Sequence, residues 1–378
     1  MPERVLITGG AGFIGGRLAV RLHREGHDVR VLDNLIPQVH GPDPERNSPL
    51  LGTVRGVAEV RRGSVTSLTD LRSAISDIDI VVHLAAETGT GQSMYEIDRY
   101  VETNVGGTAK LMDLLTNESH EVRRVVVASS RAVYGEGAYR SRTGRVVYPP
   151  HRDEHSMAAG VFDVLDENDE VLVSIPTAED ALLQPSSVYG ITKQVQESLV
   201  MTVAASIGVD AVALRYQNVY GPGQSLQNPY TGILSIFSTL IRRAEAIDIF
   251  EDGEESRDFV YIDDVVEATL RAMSRPEAVG QILNVGSGVA TTVNEVVETL
   301  MRHFGETVPS RVTGRFRVGD IRHNVADTAR LSAALDFTPA VSFDEGVRQF
   351  VDWARTEPVS SAAYQRSLEE MTARSLLK

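Results

Sequence analysis

The sequence has no cysteine. That absence excludes disulfides, thiolate zinc sites and thiol nucleophiles together. Long apolar runs are missing too: none approaches the ~18 residues that would suggest a membrane-spanning helix. The opening MPERVLITGG lacks the charged-then-apolar form of a secretion signal. Positive charge is the minority sign, since 37 Lys+Arg against 52 Asp+Glu leave a net charge of -15. A balance of this size argues against partnership with nucleic acid or with an anionic membrane. It leaves room for a local basic pocket that takes a phosphorylated small molecule. The expectation is a soluble cytoplasmic protein. Hydrophobic residues at 42% and charged residues at 24% exclude wholesale disorder and fibre formation. At roughly 150 residues per domain, the chain has length for two or three.

What is present alternates strand and helix. Arg4-Val5-Leu6-Ile7-Thr8 is a short apolar run ending in glycines, as a buried parallel strand does. Residues 12–24 follow with Phe13, Ile14, Leu18 and Leu22 near helical spacing, and Gly26 ends the helix. A second strand is expected over 28–33, and further strands over 57–62, 78–84, 123–129, 210–216 and 281–285. Helical patterns separate most of them, notably over 101–115 and 189–206. Repeated βα units imply right-handed crossovers, so the fold class is α/β, a doubly wound parallel sheet covered on both faces. From about Gly221 the pattern loosens into turns such as Gly221-Pro222-Gly223, which suggests a smaller unit built on the open end of the sheet. Residues 136–185 form a long charge-mixed connection with a hairpin expected around Asp166-Glu167-Asn168-Asp169. The tail from Pro358 reads as an appended helix of no evident chemistry.

Three features carry chemistry. Thr8-Gly9-Gly10-Ala11-Gly12-Phe13-Ile14-Gly15 is a G-x-x-G-x-x-G turn between strand and helix. Such glycines let the backbone approach a pyrophosphate, and the helix N-terminus presents free N–H groups to it. Asp33 closes the next strand, 18 residues after Gly15, where a carboxylate accepts hydrogen bonds from the adenosine ribose. An acid there repels a 2′-phosphate, which favours NAD over NADP. The second feature, Tyr189-Gly190-Ile191-Thr192-Lys193, puts phenol and amine on one helical face, one turn apart. A phenol titrates near pH ~10, and making it a base at neutrality takes roughly 4 kcal/mol of differential interaction. A neighbouring ammonium and a bound nicotinamide cation supply attraction of the right sign. The third is Val125-Val126-Val127-Ala128-Ser129-Ser130, a buried strand ending in hydroxyls at the edge where parallel sheets bind ligands. Ser130 there can donate to a substrate oxygen beside Tyr189. Taken singly, each has a plainer reading: a tight turn without ligand, an amphipathic surface pair, a serine capping the next turn.

Together the three features place the chain among known folds. It resembles the extended short-chain dehydrogenase/reductases, specifically the nucleotide-sugar epimerase/dehydratase branch, from Val5 to about Trp353. His83-Leu84-Ala85-Ala86, Asn104 in Glu102-Thr103-Asn104-Val105, Leu214-Arg215-Tyr216-Gln217-Asn218-Val219-Tyr220-Gly221-Pro222, Arg257-Asp258-Phe259-Val260-Tyr261 and Arg317-Val318-Gly319-Asp320 add to the likeness. The resemblance implies a Rossmann NAD-binding domain over 1–217, with 259–285 returning to it and 137–183 inserted. It further implies a smaller C-terminal α/β substrate domain from 218–258 and 286–357, followed by an extension over 358–378. Ser130, Tyr189 and Lys193 would form the catalytic triad. NAD would be held by Gly9, Gly12, Phe13, Ile14 and Gly15 in the turn, and by Asp33 and Asn34 after the second strand. Leu84, Ala85, Ala86 and Asn104 would complete its site with Tyr189 and Lys193. At the adenine, the family's usual Asp-Val or Asp-Ile is replaced by Ser64-Val65, which can still accept a hydrogen bond but carries no charge. The sugar nucleotide would meet Thr88, Ser130, Asn218, Arg257, Arg317 and Asp320, the arginines neutralising its diphosphate.

The reaction so implied is a transient oxidation at sugar carbon 4, with the hydride lent to NAD and returned to the opposite face. The branch's 4,6-dehydratases follow their hydroxyl residue with an Asp-Glu pair, whereas here Arg131 and Ala132 follow Ser130, so elimination is disfavoured. Reductases that consume their cofactor usually prefer NADPH, against Asp33. A 4-epimerase therefore ranks first. Residues 89–96, 129–137 and 228–232 look like the dTDP-L-rhamnose 4-epimerase subgroup, whose substrate pair is dTDP-L-rhamnose and dTDP-6-deoxy-L-talose. Ser130 and Tyr189 are 59 positions apart, which fits that subgroup's long insertion; lacking cysteine, this insertion should hold no zinc. No metal is expected elsewhere. Rival readings are a UDP-hexose or UDP-uronate 4-epimerase, and a non-catalytic NAD-binding sensor or scaffold. A homodimer is expected, pairing through helices 101–115 and 189–206.

Overall fold

A computed structural model describes residues 2–226, 232–359 and 362–378. Most of the 228–232 stretch compared with the rhamnose subgroup, residues 228–231, lies outside the described residues. Seven parallel strands form the main sheet, in the spatial order Ile282–Val285, Asp210–Tyr216, Arg124–Ser130, Ile80–His83, Arg4–Thr8, Asp28–Asp33, Glu59–Arg62. The order reverses between Arg4–Thr8 and Ile80–His83, and such a reversal opens a crevice at the carboxyl edge of the sheet.

Side-chain alternation explains why both faces are covered. Val5 and Ile7 enter one apolar cluster with Leu18, Leu22, Val265 and Ala268, while Leu6 enters another with Leu111, Leu115, Val200 and Ala204. The helices supplying these faces are Phe13–Arg24 and Ile262–Ser274 on one side, Gly107–Asn117 and Val188–Ile207 on the other. Val188–Ile207 starts under a Ser187 cap, whose hydroxyl accepts the Gly190 N–H at 3.1 Å. It ends at Gly208 in the left-handed region, with φ of 72°.

Two segments depart from the periodicity. Residues expected to begin one helix at Val101 instead form a π-helical turn, Val101–Gly106, before the α-helix Gly107–Asn117. The fully buried Asn104 sits in that turn and bonds the backbone of Glu87 through both its amide atoms, at 2.7 and 3.1 Å, and Thr192 Oγ1 at 2.9 Å. Between the second and third strands, three short helices begin on proline, Pro37–His40, Pro44–Asn47 and Pro49–Val54. Proline fits the first helical turn because the missing N–H would be unpaired there anyway.

The smaller unit has a second sheet of Asn218–Tyr220, Ser256–Tyr261 and Ala290–Thr292, with His323–Asn324 joined to the middle strand. Ser256–Tyr261 lies wholly in this sheet, paired with both neighbours, so the chain's return to the main sheet begins at Ile262 and not at residue 259. The 137–183 segment carries its own three-stranded sheet of Tyr139–Arg140, Val146–Val147 and Val173–Ser174. Its hairpin is closed by an antiparallel bridge between Leu165 and Val171, with Asp169 at φ of 61°. The tail forms the helix Ala362–Ala373. Among the described residues, no helix is long and apolar enough to cross a membrane.

Candidate active site

The glycine turn is built so tightly that side chains would not fit. Gly9 has φ of 68°, and a Cβ on it would lie 2.8 Å from the Ala85 nitrogen; one on Gly15 would lie 2.6 Å from the Gly10 Cα. No side chain caps the helix Phe13–Arg24 at its start, so the turn leaves backbone donors open. These features border a cavity of about 360 Å³. Gly9, Gly12, Phe13, Ile14, Gly15, Asp33, Asn34, Ser64, Val65, Leu84, Ala85 and Ala86 line it, as do Thr88, Ser130, Tyr189 and Lys193.

Asp33 Oδ2 accepts the Ala11 N–H at 3.0 Å and Oδ1 accepts the Leu35 N–H at 2.9 Å. The acid thus ties the glycine turn to its own strand, and a carboxylate has lone pairs left for a ribose hydroxyl. The residues present therefore fit NAD: a cradle that any Cβ would fill, an uncapped helix start and an acid at the end of the second strand. One expectation needs correction. Asn104 does not line the cavity; it is fully buried behind it and acts on the site only by fixing Glu87 and Thr192. The Ser64 hydroxyl lies 2.8 Å from Thr66 Oγ1 and accepts the Thr66 N–H at 3.1 Å, which leaves it a lone pair for a base amine. Thr88, expected at the sugar nucleotide, borders this same cavity.

Ser130, Tyr189 and Lys193 converge on one wall. Ser130 Oγ accepts the Ala132 N–H at 3.2 Å, capping the next turn, and lines the cavity with Tyr189. Burial pushes the Tyr189 phenol above its ordinary pKa, while the nearby Ser130 hydroxyl and the Arg131 charge pull it back. Lys193 Nζ donates to the Ala128 carbonyl at 2.8 Å, and burial lowers its pKa to about 7. His83, buried behind it, is driven down to about 3, first by burial and then by the Lys193 charge. Arg131, and not Lys193, is the cation that acts on Tyr189 in the protein alone.

A second cavity, of about 230 Å³, is lined by Arg131, Asn218, Phe250, Arg257, Arg317 and Asp320. Ser130 lines the first cavity and the next residue, Arg131, lines the second. Arg131 Nε donates to Asn218 Oδ1 at 2.6 Å, and its pKa falls to about 10 through burial and the nearby Arg257 charge. Arg257 donates to Asp320 Oδ1 at 2.8 Å and to three carbonyls, those of Ser256, Ile321 and Arg322. Burial works to raise the Asp320 pKa, yet Arg257, Arg317, Arg152 and Arg131 outweigh it and hold the carboxyl below its usual range. Arg317 lies 5.1 Å over the Phe250 ring, and its Nε is buried without a partner. The lining sets three arginines, Arg131, Arg257 and Arg317, among four acids, Asp248, Glu251, Glu255 and Asp320.

Sequence reasoning missed several of these residues. Arg131 was read only as a missing acid, although its place directly after Ser130 was the available signal. Arg152 comes from the insertion and donates to Glu251 twice, at 2.8 Å, and to the Asp320 carbonyl at 3.0 Å. No local pattern marks it. Met371 and Leu376, from the tail thought to lack chemistry, line the second cavity.

The chain is similar to known proteins. The model of the NAD dependent epimerase/dehydratase family matches residues 5–157 and 162–286. The chain is 38% identical over 359 residues to a dTDP-L-rhamnose 4-epimerase of Burkholderia thailandensis, covering 94% of this chain and 96% of that one. Among solved structures it is similar to MoeE5 in complex with UDP-glucuronic acid and NAD, with a TM-score of 0.73, 31% identity, and 93% and 99% of the two chains covered. It is also similar to the UDP-glucuronic acid 4-epimerase of Bacillus cereus in complex with UDP-glucuronic acid and NAD, with a TM-score of 0.75, 25% identity and the same two coverages, 93% and 99%. A glycine cradle, an acid at the second strand and a Ser-Tyr-Lys wall, matched by model and relatives over most of the length, lead to one statement: the chain belongs to the NAD-dependent epimerase/dehydratase family.

Proposed function

We propose that this protein is a nucleotide-sugar 4-epimerase that interconverts dTDP-L-rhamnose and dTDP-6-deoxy-L-talose. The observation that carries the reading is the gathering of Ser130, Tyr189 and Lys193 on the first cavity, with Arg131, the residue after Ser130, on the second. In this reading the first cavity takes NAD and the second takes the nucleotide diphosphate, so the sugar lies between them against Tyr189. NAD, when bound, serves as a reversible hydride acceptor for sugar carbon 4. Tyr189 takes the proton of the carbon-4 hydroxyl and later returns it, while Ser130 steadies that oxygen. Lys193 holds the cofactor ribose, and Arg131 stabilises the Tyr189 phenolate. Asn218, Arg257, Arg317 and Asp320 seat the sugar nucleotide, and the Arg131-Ala132 pair offers no acid for elimination.

The binding work divides accordingly: residues 1–217 with the return from Ile262 hold NAD, and 218–261 with 286–357 hold the sugar nucleotide. The reading includes a homodimer built on the Gly107–Asn117 and Val188–Ile207 helices, supported by Val101 and Ile191, which are 42% and 49% exposed near their starts. A second substrate reading, a UDP-uronate, is favoured by Arg131: this cation beside Ser130 donates to a neutral amide, that of Asn218, and would suit a sugar carboxylate.

The test is to incubate the purified protein with dTDP-L-rhamnose, UDP-glucose and UDP-glucuronate and follow carbon-4 epimers by NMR. Conversion of dTDP-L-rhamnose is expected, and conversion of UDP-glucuronate alone would move the assignment to the uronate. Tyr189→Phe should lower turnover by at least ~10²-fold, in the range for a lost general base, with folding and NAD content unchanged. A wild type that holds NAD and converts none of the three would favour the sensor or scaffold reading.

A further inference from the structure

The tail beyond residue 366 is built into the second cavity. Met371 and Leu376 line it, and Met371 is 5% exposed. The Met371 sulfur lies 3.4 Å from where a Cβ on Gly91 would stand, so the helix rests directly on the 90–94 turn of the large unit. A clasp at Tyr95 holds it there: the Tyr95 hydroxyl donates to Glu370 at 3.0 Å, and the Arg374 guanidinium lies 4.2 Å over the Tyr95 ring.

After the helix the chain pairs with the loop that carries two of the expected substrate residues. The Val318 N–H donates to the Leu376 carbonyl at 3.0 Å. Phe316 and Lys378 exchange both backbone bonds, at 2.9 and 3.0 Å, and Arg317 bridges Leu377 between them. Lys378 also forms an ion pair with Glu154 of the insertion. Arg317 is therefore flanked by backbone pairing on both sides while its Nε remains buried and unpartnered. A buried unpaired donor is uncommon in a folded protein and calls for a ligand or a reason. No residue of the tail lines the first cavity.

We propose that residues 367–378 are a working part of the nucleotide-sugar site, forming its apolar wall through Met371 and Leu376 and holding the Arg317 backbone so that its guanidinium meets the anionic diphosphate. The proposal rests on reading the second cavity as that site. The tail acts on sugar-nucleotide binding and leaves NAD alone, because it touches one cavity and not the other. Met371 and Leu376 set which groups are tolerated at that wall, and Arg374 is a positioning residue that keeps the helix seated.

The experiment compares full-length wild type with Met371→Asp, Met371→Leu and Arg374→Ala. It reads dTDP and dTDP-L-rhamnose affinity by calorimetry, kcat and KM separately, bound NAD by absorbance, and thermal unfolding. Met371→Asp should weaken sugar-nucleotide binding and raise KM at least about tenfold, the scale of a disturbed charged contact. Met371→Leu should restore the wild-type values. Arg374→Ala, which lies outside the cavity lining, should raise KM severalfold with kcat preserved. NAD content should stay level in all three. Wild-type affinity and KM in both Met371→Asp and Arg374→Ala would overturn the proposal while leaving the assigned reaction intact. A loss in Met371→Asp that falls equally on NAD would also overturn it, since that marks general damage. A wild type that binds neither dTDP nor dTDP-L-rhamnose would instead remove the functional reading, and this inference with it.

Discussion

In the proposed reaction Tyr189 is a base whose surroundings oppose its being one. Burial favours the neutral phenol, and the forces on the other side are the nearby Ser130 hydroxyl and the charge of Arg131. Removing that charge makes the phenolate harder to form, so the pKa of Tyr189 must rise. Because proton abstraction needs the phenolate, the acid limb of the pH–rate profile should move to higher pH. Arg131→Met is therefore expected to slow turnover most at low pH and to recover as pH rises, a pattern that steady-state kinetics across pH 6–10 (roughly, spanning the ordinary range of a phenol) would reveal. An unshifted limb would mean that Arg131 does not act on the base. The glycine turn, Asp33, Tyr189 and Lys193 were legible because each signal sits within one local element, where spacing alone fixes geometry. Arg131 and Arg152 were not, because a guanidinium's role depends on which distant segment it meets.

At the scale of elements, the helix that carries Tyr189 and Lys193 is held by charge buried beside the sheet. Arg215, 2% exposed, donates to both carboxylate oxygens of Glu197 at 2.9 and 2.6 Å, to the Tyr134 hydroxyl and to the Glu179 carbonyl. One residue thus ties the strand Asp210–Tyr216 to the helix Val188–Ile207 and to the insertion. Replacing it by a neutral side chain leaves Glu197 charged and buried without its partner. Arg215→Met should cost about 3–5 kcal/mol, the range for breaking a buried pair, visible as a reduced denaturation midpoint with an unchanged slope. The strands of the main sheet were readable because a parallel strand buried on both faces is a continuous apolar run, as Val125-Val126-Val127 shows. The π-helical turn at Val101–Gly106 was not, since its cause is the reach of Asn104 to Glu87 and Thr192, residues far apart in the chain.

The whole molecule is held as one body by contacts that cross between its parts. Arg322, from the smaller unit, bonds Asp252, Glu251 and the insertion's Asp163, while Arg152, from the insertion, bonds Glu251. These shared carboxylates couple insertion and smaller unit, and the helix Ile262–Ser274 packs back on the main sheet. Scanning calorimetry should therefore show a single transition, and two resolved peaks would contradict the coupling. The general division into a large sheet and a smaller unit was visible where the βα rhythm breaks near Gly221. Where the chain returns was harder to place, because Arg257-Asp258-Phe259-Val260-Tyr261 reads as a buried strand whichever sheet it joins. That return has a consequence for synthesis. Ile282–Val285 covers the open side of Asp210–Tyr216, yet leaves the ribosome some seventy residues later, roughly several seconds at ordinary elongation rates. Until then the nascent large lobe exposes a bare edge, the kind of surface on which neighbouring polypeptides aggregate.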